Sequence, residues 1–423
     1  MKRFFKILLL TILSLSFINK ANAIETIPTP DIKLIINQND TNADIPKEVR
    51  EQEALQEDEK VIDNSDVEFS NFDNVVKEDE VEELEITGTS LFQKIYKTQI
   101  ERTDIPTYLL QDELTFEFSK GPVRKAQLFA AYRGDLAATF EGADYDTNYM
   151  HDLVQLGVIG ITADKNTSFL GRFNIVPHSG RSYLHDFVAD AYFVNTIIPN
   201  NKILVGYSRN QVGVEGGMPL YTQPFVARAQ IARHFGSTRA LGVRLVGEYP
   251  LVNYSLAFNS SDRFFHSFFP GVEFTGWVNF KPLAKTDGKW GNLILGTGLN
   301  TGKNHENYTV GGAYVAYKYK RFFANFEYSI ADGYNGAYVS TNKASGFYTT
   351  LAYKITPKLQ VLARADHFNP NRDLKNAAKD EYTFGINYFL KGQALKLIFN
   401  YVFCHNHNAP DSNRLIVGTQ ILL

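Results

Sequence analysis

The sequence predicts an all-β protein, an antiparallel transmembrane β-barrel of 16 strands, with 18 as the alternative count. Three observations support this fold class. No stretch after the N-terminal segment is long and apolar enough for a spanning helix, so strands must make any membrane crossing. From about residue 112 onward, apolar and polar residues alternate in short runs. Short and long connections also alternate between these runs, as they do in outer-membrane barrels.

The N-terminal residues predict an export signal. Lys2, Arg3 and Lys6 precede an apolar run over residues 7–17, and Ala21-Asn22-Ala23 has the small-residue pattern of a cleavage site. Residues 1–23 are therefore expected to be a cleaved signal peptide. An uncleaved membrane anchor is the alternative, but the apolar run is shorter than the roughly 20 residues that a spanning helix needs.

Composition and charge divide the remaining chain in two. The 23 Tyr, 32 Phe and 30 Gly favour a sheet-rich protein. Residues 24–104 contain 8 basic and 22 acidic residues, whereas residues 105–423 contain 31 basic and 24 acidic residues. The first segment, which lacks sustained alternation, is predicted to be an acidic, mostly disordered periplasmic segment. A plug or a partner-binding segment is the alternative. Residues 105–423 are predicted to form the barrel.

The alternation is clear in residues 321–330, where Phe326 and Tyr328 lie on one face of a strand and Glu327 and Ser329 on the other. The predicted strands lie near 113–119, 124–133, 135–141, 152–162, 168–177, 185–194, 201–208, 239–249, 251–259, 272–280, 291–299, 308–319, 321–330, 346–355, 358–367, 381–390, 394–403 and 413–423. A barrel of this size has a water-filled lumen. A soluble β-protein with its apolar face inward is the alternative.

The connections between these strands favour the membrane barrel. Working back from the C-terminus, short connections are predicted near 391–393, 356–357, 320 and 249–250. Longer polar connections are predicted at 404–412, 368–380, 331–345, 300–307 and 260–271. Short turns on one rim and long loops on the other are typical of bacterial outer-membrane proteins, so we expect the protein in that membrane, in contact with its lipid.

Two short motifs are interpreted as structural. Arg133-Gly134-Asp135 falls where a turn is needed, and Gly-Asp is common in turns. Cys404-His405-x-His407 has a metal-like spacing but lies in a predicted exposed loop without further ligands. Basic residues are scattered through the strands and not grouped with aromatic residues as in nucleic-acid modules. No metal, cofactor or nucleic-acid partner is expected.

Four regions of the sequence resemble the phosphate-selective porin O and P family of outer-membrane channels. They are residues 122–128 (PVRKAQL), 212–217 (VGVEGG), 239–245 (RALGVRL), and the C-terminal pair 385–389 (GINYF) and 394–397 (ALKL). The resemblance covers roughly residues 110–423 and implies a 16-stranded homotrimeric porin with an anion-favouring constriction. Two features depart from the family pattern: the acidic segment 24–104, and Leu423 in place of a terminal aromatic residue.

The longest predicted connection, residues 209–238, is expected to fold inward and narrow the pore, as such loops do in porins. Gly216-Gly217 would permit the sharp turn into the lumen. Eight basic residues are candidates for lining the pore and binding anions: Arg209, Arg228, Arg233, Arg239, Arg244, Arg172, Lys125 and Arg364. Interior ion pairs, Arg244 with Glu248 and Arg364 with Asp366, are the alternative role, and the sequence leaves both open.

The expected function is passive diffusion of small hydrophilic solutes across the outer membrane, with a preference for anions or phosphate and no enzymatic activity. Two other functions are considered. A barrel enzyme of the lipase or protease kind would need a Ser/His or Asp/His arrangement on the rim, to which His178, His185, His234 or His266 could contribute. A structural or adhesive barrel would need neither a pore nor such a site.

Overall fold

The computed structural model describes residues 115–149, 153–164, 166–175, 187–236, 238–263, 267, 269–286 and 288–422. The predicted signal peptide, the predicted acidic segment and the start of the predicted barrel region lie outside the described residues.

Eighteen strands make up most of the described chain. Their bounds are β1 Thr115–Glu117, β2 Val123–Glu141, β3 Asp144–Tyr149, β4 Leu153–Thr162, β5 Thr167–Asn174, β6 Val188–Asn195, β7 Asn201–Arg209, β8 Arg239–Glu248, β9 Val252–Ser260, β10 Val272–Phe280, β11 Asn292–Asn304, β12 Glu306–Tyr319, β13 Phe322–Asn335, β14 Val339–Thr356, β15 Leu359–Asn369, β16 Lys379–Lys391, β17 Leu395–Asn406 and β18 Ser412–Leu422.

Sixteen of these strands form a closed antiparallel barrel, which confirms the predicted fold class. From β4 to β18 each strand pairs with the next, and the barrel closes because β2 pairs with β4 on one side and with β18 on the other. β1 and β3 are two extra strands, and both pair with β2. β3 continues along β2 beyond the end of β4, so these two short strands occupy one position in the barrel wall.

The sixteen strands of the closed barrel confirm the first of the two predicted counts, but two elements differ from the prediction. The expected strands 124–133 and 135–141 are one strand, β2, so the turn predicted at Arg133-Gly134-Asp135 is wrong. Arg133 and Asp135 are buried in the middle of β2, and the chain turns instead at Gly142, whose φ is 60°. β3 was not predicted because its six residues, DYDTNY, are mostly polar and too few for a clear alternation.

The two faces of the barrel strands differ as the alternation predicts, most clearly in the long wall strands such as β16. In β16, Tyr382 and Phe384 are exposed on the outer surface, whereas Glu381, Thr383 and Asn387 are buried on the inner surface. The apolar residues therefore point outward, toward lipid, and the polar residues point into the lumen. A soluble sandwich would show the reverse arrangement.

The strands are of unequal length around the barrel. We call β5–β10, with 8 to 10 residues each, the short wall. β11–β18, with 11 to 18 residues each, form the long wall. The helices in the described part of the chain have at most six residues and are too short to cross a membrane.

The connections on the two rims of the barrel differ less in length than the sequence predicts. Short turns join β12 to β13, β14 to β15 and β16 to β17, and a longer loop of residues 370–378 joins β15 to β16 on the opposite rim. The predicted loop 300–307, however, is the single residue His305, because β11 and β12 extend past it. Cys404 lies within β17 and is buried, so the predicted exposed loop begins later in the chain.

Candidate functional site

The connection between β7 and β8 folds into the lumen as predicted. We call its residues 210–236 and 238 the lumen loop. It contains two short α-helices, α1 (Val214–Gly217) and α2 (Gln230–Phe235), with a 3-10 turn at Leu220–Thr222 between them. Although it is a connection, most of its residues are buried, and Val226 and Ala229 are completely so. A loop on an outer rim would be exposed, so this loop lies among the inward-facing side chains.

Apolar side chains of the lumen loop pack on several sides of the barrel. Phe225 clusters with Ala352 of β14 and Leu362 of β15. Val226 belongs to a second cluster with residues of β2, β17 and β18, and Tyr221 to a third with residues of β2 and β4–β8. The loop therefore crosses the lumen from the short wall to the long wall.

Inward-facing carboxylates of the long wall bind backbone amides of the lumen loop. Both carboxylate oxygens of Glu327 accept hydrogen bonds from the Val214 amide, at 3.0 and 3.1 Å. Asp366 accepts one from the Gln230 amide at 2.7 Å. Gly213 makes the first contact possible, because its φ is 68° and a Cβ there would collide with the Glu327 carboxylate. The chain thus bends at Gly213, while the predicted bend residues Gly216-Gly217 lie in α1.

Glu215 links α1 to the start of α2 within the lumen loop. Its Oε2 accepts a hydrogen bond from the Ala229 amide at 2.6 Å and lies 3.2 Å from Nη1 of Arg364 on β15. Glu215 and Arg364 are both almost fully buried. A buried carboxylate needs such partners because its desolvation is costly. Glu215 therefore fixes the shape of the loop and its position against the wall.

Basic residues of β2 and β17 bind carbonyl groups of the loop. Arg133 of β2 donates hydrogen bonds to the carbonyl oxygens of Leu220, Phe225 and Val226. Lys396 of β17 donates one to the Gln223 carbonyl at 3.2 Å. These carbonyls would otherwise lose their hydrogen bonds with water on burial. The loop is thus held by carboxylates at its amides and by cations at its carbonyls.

Four of the predicted basic residues gather beside the short wall. We call Arg172, Arg209, Arg228 and Arg239 the arginine cluster. Arg172 forms an ion pair with Asp190 of β6, and Nε of Arg239 lies 2.9 Å from Oδ1 of the same aspartate. Arg209 and Arg228 lie within electrostatic range of each other and of Arg239. Four guanidinium groups therefore share Asp190 and part of the charge of Glu215, which leaves an excess of positive charge.

Within the arginine cluster, Arg209 has unused hydrogen-bond donors. Its side chain is only 7% exposed, yet among the described residues its Nε and Nη1 have no hydrogen-bond acceptor. Arg228 donates to the carbonyls of Glu215 and Met218, at 3.0 and 2.7 Å, and burial lowers its pKa to about 9. Arg228 therefore keeps its charge at neutral pH. A buried guanidinium with free donors can bind an anion that replaces its lost hydration.

The other four predicted residues lie elsewhere. Arg244 donates to the Arg209 carbonyl, and Glu248 pairs with Lys202 at 3.0 Å, so the predicted Arg244–Glu248 pair is wrong. The expected pair of Arg364 with Asp366 is present at 3.9 Å, in addition to the pair with Glu215.

Two of those four contact the wall away from the arginine cluster. Arg233 of α2 pairs with Glu381 of β16 at 2.6 Å. Lys125 pairs with Glu117 of β1 at 3.3 Å, near the start of β2. The structure thus brings four of the eight predicted residues into one cluster. Arg244 donates to the Arg209 carbonyl beside it, and the other three pair with acidic groups elsewhere in the barrel.

Sequence reasoning missed the acidic partners. Asp190, Glu215 and Glu327 were not predicted as site residues, although Glu327 was assigned to the polar face of its strand. That polar face was a usable signal, because a carboxylate pointing into a lumen needs a partner. Of the four histidines considered for a catalytic site, His234 is stacked between aromatic rings, and the other three lie outside the described residues.

Comparisons with known proteins agree with this architecture. Residues 288–422 match the family model described as phosphate-selective porin O and P. A comparison with curated protein sequences finds no match. The matched region covers β11–β18, and it contains the C-terminal pair of stretches that carried the resemblance in the sequence.

Three solved structures have the same fold. The outer-membrane channel DcaP of Acinetobacter baumannii is 14% identical over 73% of this chain and 99% of that chain, with a TM-score of 0.51. An anion-selective porin from Comamonas acidovorans is 10% identical over 70% and 99%, with a TM-score of 0.51. OprB of Pseudomonas putida is 10% identical over 70% and 94%, with a TM-score of 0.55. The chain thus has the fold of bacterial outer-membrane channels, and over residues 288–422 it resembles the phosphate-selective porin O and P family.

Proposed function

We propose that the protein is an outer-membrane porin through which small hydrophilic solutes diffuse passively, with anions favoured over cations. The observation that carries this proposal is the arginine cluster, because it places excess positive charge beside a loop that narrows the lumen. Charges act over longer range in a confined, low-dielectric space than in bulk water. Phosphate is one suitable solute, because guanidinium groups bind its oxygens in pairs.

The eight predicted basic residues take different roles in this proposal. Arg209 and Arg228 attract and transiently bind the anion. Arg172 and Arg239 bind Asp190, whose single negative charge is outnumbered by the four guanidinium groups of the cluster. Arg233, Arg244 and Arg364 position the lumen loop through their ion pairs and hydrogen bonds. Lys125 adds positive charge near the start of β2.

The double substitution Arg209→Gln and Arg228→Gln should shift ion selectivity several-fold toward cations. It removes two positive charges from the lumen and leaves Asp190 in place. The measurement is the reversal potential of single channels in planar lipid bilayers under a salt gradient.

Lys358→Gln, in the exposed turn between β14 and β15, is the matched control, and its reversal potential should equal that of the unmodified protein. An unchanged reversal potential in a folded double variant would refute the anion-binding role of the cluster. Absence of stepwise conductance in the unmodified protein would refute the porin function itself.

We further propose that the protein forms homotrimers through the short wall. β5 and β6 have 8 residues each, whereas a tilted strand needs about 9 to 11 residues to cross the hydrocarbon layer. The short wall nevertheless has exposed apolar side chains, including Phe193 and Val205. A neighbouring subunit on this side would cover them and remove the mismatch with lipid.

Phe193→Arg should convert the oligomer to monomers, because it places a charge in the proposed interface. Phe384→Arg is the matched control: it lies on the long wall with a similar exposure and should leave the oligomeric state unchanged. The measurement is native mass spectrometry of both folded variants in detergent. Dissociation caused by Phe384→Arg, with no effect of Phe193→Arg, would place the interface on the long wall.

A further inference from the structure

A second candidate site lies on the rim that carries the longer loops. It is a cavity of about 420 Å³ between α2, the β15–β16 loop and the β17–β18 loop. This volume is in the range of small-molecule sites. Its lining includes Gln230, Arg233 and His234, together with Tyr338, Phe368 and Lys379. Three of them belong to α2, so a molecule in this cavity touches the lumen loop.

One side of the cavity is cationic. The Glu381 carboxylate is shared by three basic groups: Arg233 at 2.6 Å, Arg414 at 3.1 Å and Lys379 at 3.4 Å. The Glu381 carboxylate thus faces three basic groups, and Asp366 also lies within electrostatic range of Arg233. Arg233 and Lys379 also line the cavity, with side chains 28% and 40% exposed. Both can therefore reach a second anion.

The nearby carboxylate Asp380 reduces this excess charge, and two histidines engage its oxygens. Its two oxygens face the imidazoles of His367, at 2.6 Å, and His407, at 3.0 Å. These contacts hold Asp380 by hydrogen bonds and direct its oxygens toward the histidines. The cavity retains Arg233, Lys379 and several side-chain amides as groups that can donate to a ligand.

The other side of the cavity is apolar. Tyr338, Phe368, Pro370 and small alanine side chains form it. The His234 ring is stacked between Phe368 and Tyr338, with centroid distances of 4.1 and 4.7 Å. Burial, together with the charge of Arg233, lowers the His234 pKa to about 4, so its imidazole is neutral at neutral pH. The ring therefore adds to the apolar side, and Tyr338 remains 58% exposed.

We propose that this cavity is a binding site for small organic anions that carry one carboxylate on an apolar body. The carboxylate contacts Lys379 and Arg233, and the apolar body packs against Tyr338 and Phe368. A solute of this kind binds first at the rim, in contact with α2, and then passes the lumen loop. The transport role assigned to the site rests on the proposed porin function, whereas its binding chemistry does not.

Comparing benzoate, acetate and benzyl alcohol tests the cationic and the apolar part of this site independently. The full chain, purified in detergent, is titrated with each compound in an isothermal calorimeter. Benzoate should bind at least about tenfold more tightly than acetate, which lacks the apolar body, and than benzyl alcohol, which lacks the charge. Equal affinity for benzoate and benzyl alcohol, or no saturable binding of benzoate, would overturn the proposal.

Two variants test whether benzoate binds in this cavity. Lys379→Gln should lower the affinity for benzoate about tenfold and leave the affinity for benzyl alcohol unchanged. Tyr338→Ser should weaken benzoate binding and leave acetate binding unchanged, because it removes the aromatic ring and keeps a hydroxyl group. Lys303→Gln, an exposed lysine of β11 outside the cavity lining, is the charge-matched control and should change neither affinity.

Circular dichroism and heat modifiability of each variant establish that the barrel is folded. Benzoate affinity that is unchanged in folded Lys379→Gln and Tyr338→Ser would overturn the proposed location. Single-channel conductance of the unmodified protein is measured in parallel. Benzoate binding without conductance would refute the porin function and leave the binding site intact, whereas conductance without benzoate binding would do the opposite.

Discussion

Replacing residues 214–235 of the lumen loop with a short Gly-Ser linker should raise single-channel conductance several-fold. The loop crosses the lumen and packs against both walls, so it occupies space that ions and water would otherwise fill. The sixteen strands remain paired without it, because the barrel hydrogen bonds run between neighbouring strands. A barrel of sixteen strands without an inner loop is wide enough for an aqueous channel.

The measurement is the conductance step in planar bilayers at a fixed salt concentration. A matched replacement of residues 371–377, in the rim loop between β15 and β16, should leave the conductance near that of the unmodified protein. The loop variant should also lose ion selectivity, because Arg228 is removed and the lumen widens. An unchanged conductance in the folded loop variant would mean that ions pass by a route that the loop does not narrow.

Glu215→Ala should release the lumen loop without removing it. The substitution leaves Arg364 buried without its closest carboxylate and deprives the Ala229 amide of its acceptor. Removing one partner of a buried ion pair typically costs about 3–5 kcal/mol. We expect the barrel to persist and the loop to detach, because the strand pairing does not involve Glu215.

Limited proteolysis measures this release. The unmodified lumen loop is buried and should resist cleavage, whereas the Glu215→Ala protein should be cut within residues 210–236. In planar bilayers, the single-channel current of this variant should fluctuate because its loop moves. Glu306→Ala, at an exposed carboxylate of β12, is the control and should behave like the unmodified protein. Equal protease resistance of Glu215→Ala and the unmodified protein would show that the other anchors, including Glu327 and Asp366, suffice.

Much of the fold follows from local patterns. The alternation in β16 and its neighbours predicts the position of these strands and the face that each side chain takes, because strand geometry has a period of two residues. Alternation does not predict a strand unless one of its faces contacts lipid and the other faces the lumen. β3 has only Tyr145 and Tyr149 as large side chains on one face, and β2 continues through Gly134 because β18 pairs with it there.

The candidate site was predictable only in part. The position of Arg172 and Arg364 on the polar faces of their strands follows from alternation. Their partners do not, because ion pairs inside a barrel join residues that are far apart in the sequence; Arg364 and Glu215 are separated by 149 positions. Only the closed sheet and the inward path of the lumen loop bring such residues together.

The pairing of β2 with β18 has a consequence for how the molecule assembles. Residues 131–141 pair with residues 412–422, which lie at the far end of the barrel sequence. This seam is the contact of longest sequence separation in the sheet, and such contacts form slowly. Until the seam closes, the sheet has two edges with unpaired amides and carbonyls, which can pair with other chains and aggregate. A lesion in β18 should therefore lower the yield of folded protein far more than an equal lesion in a strand that is completed early.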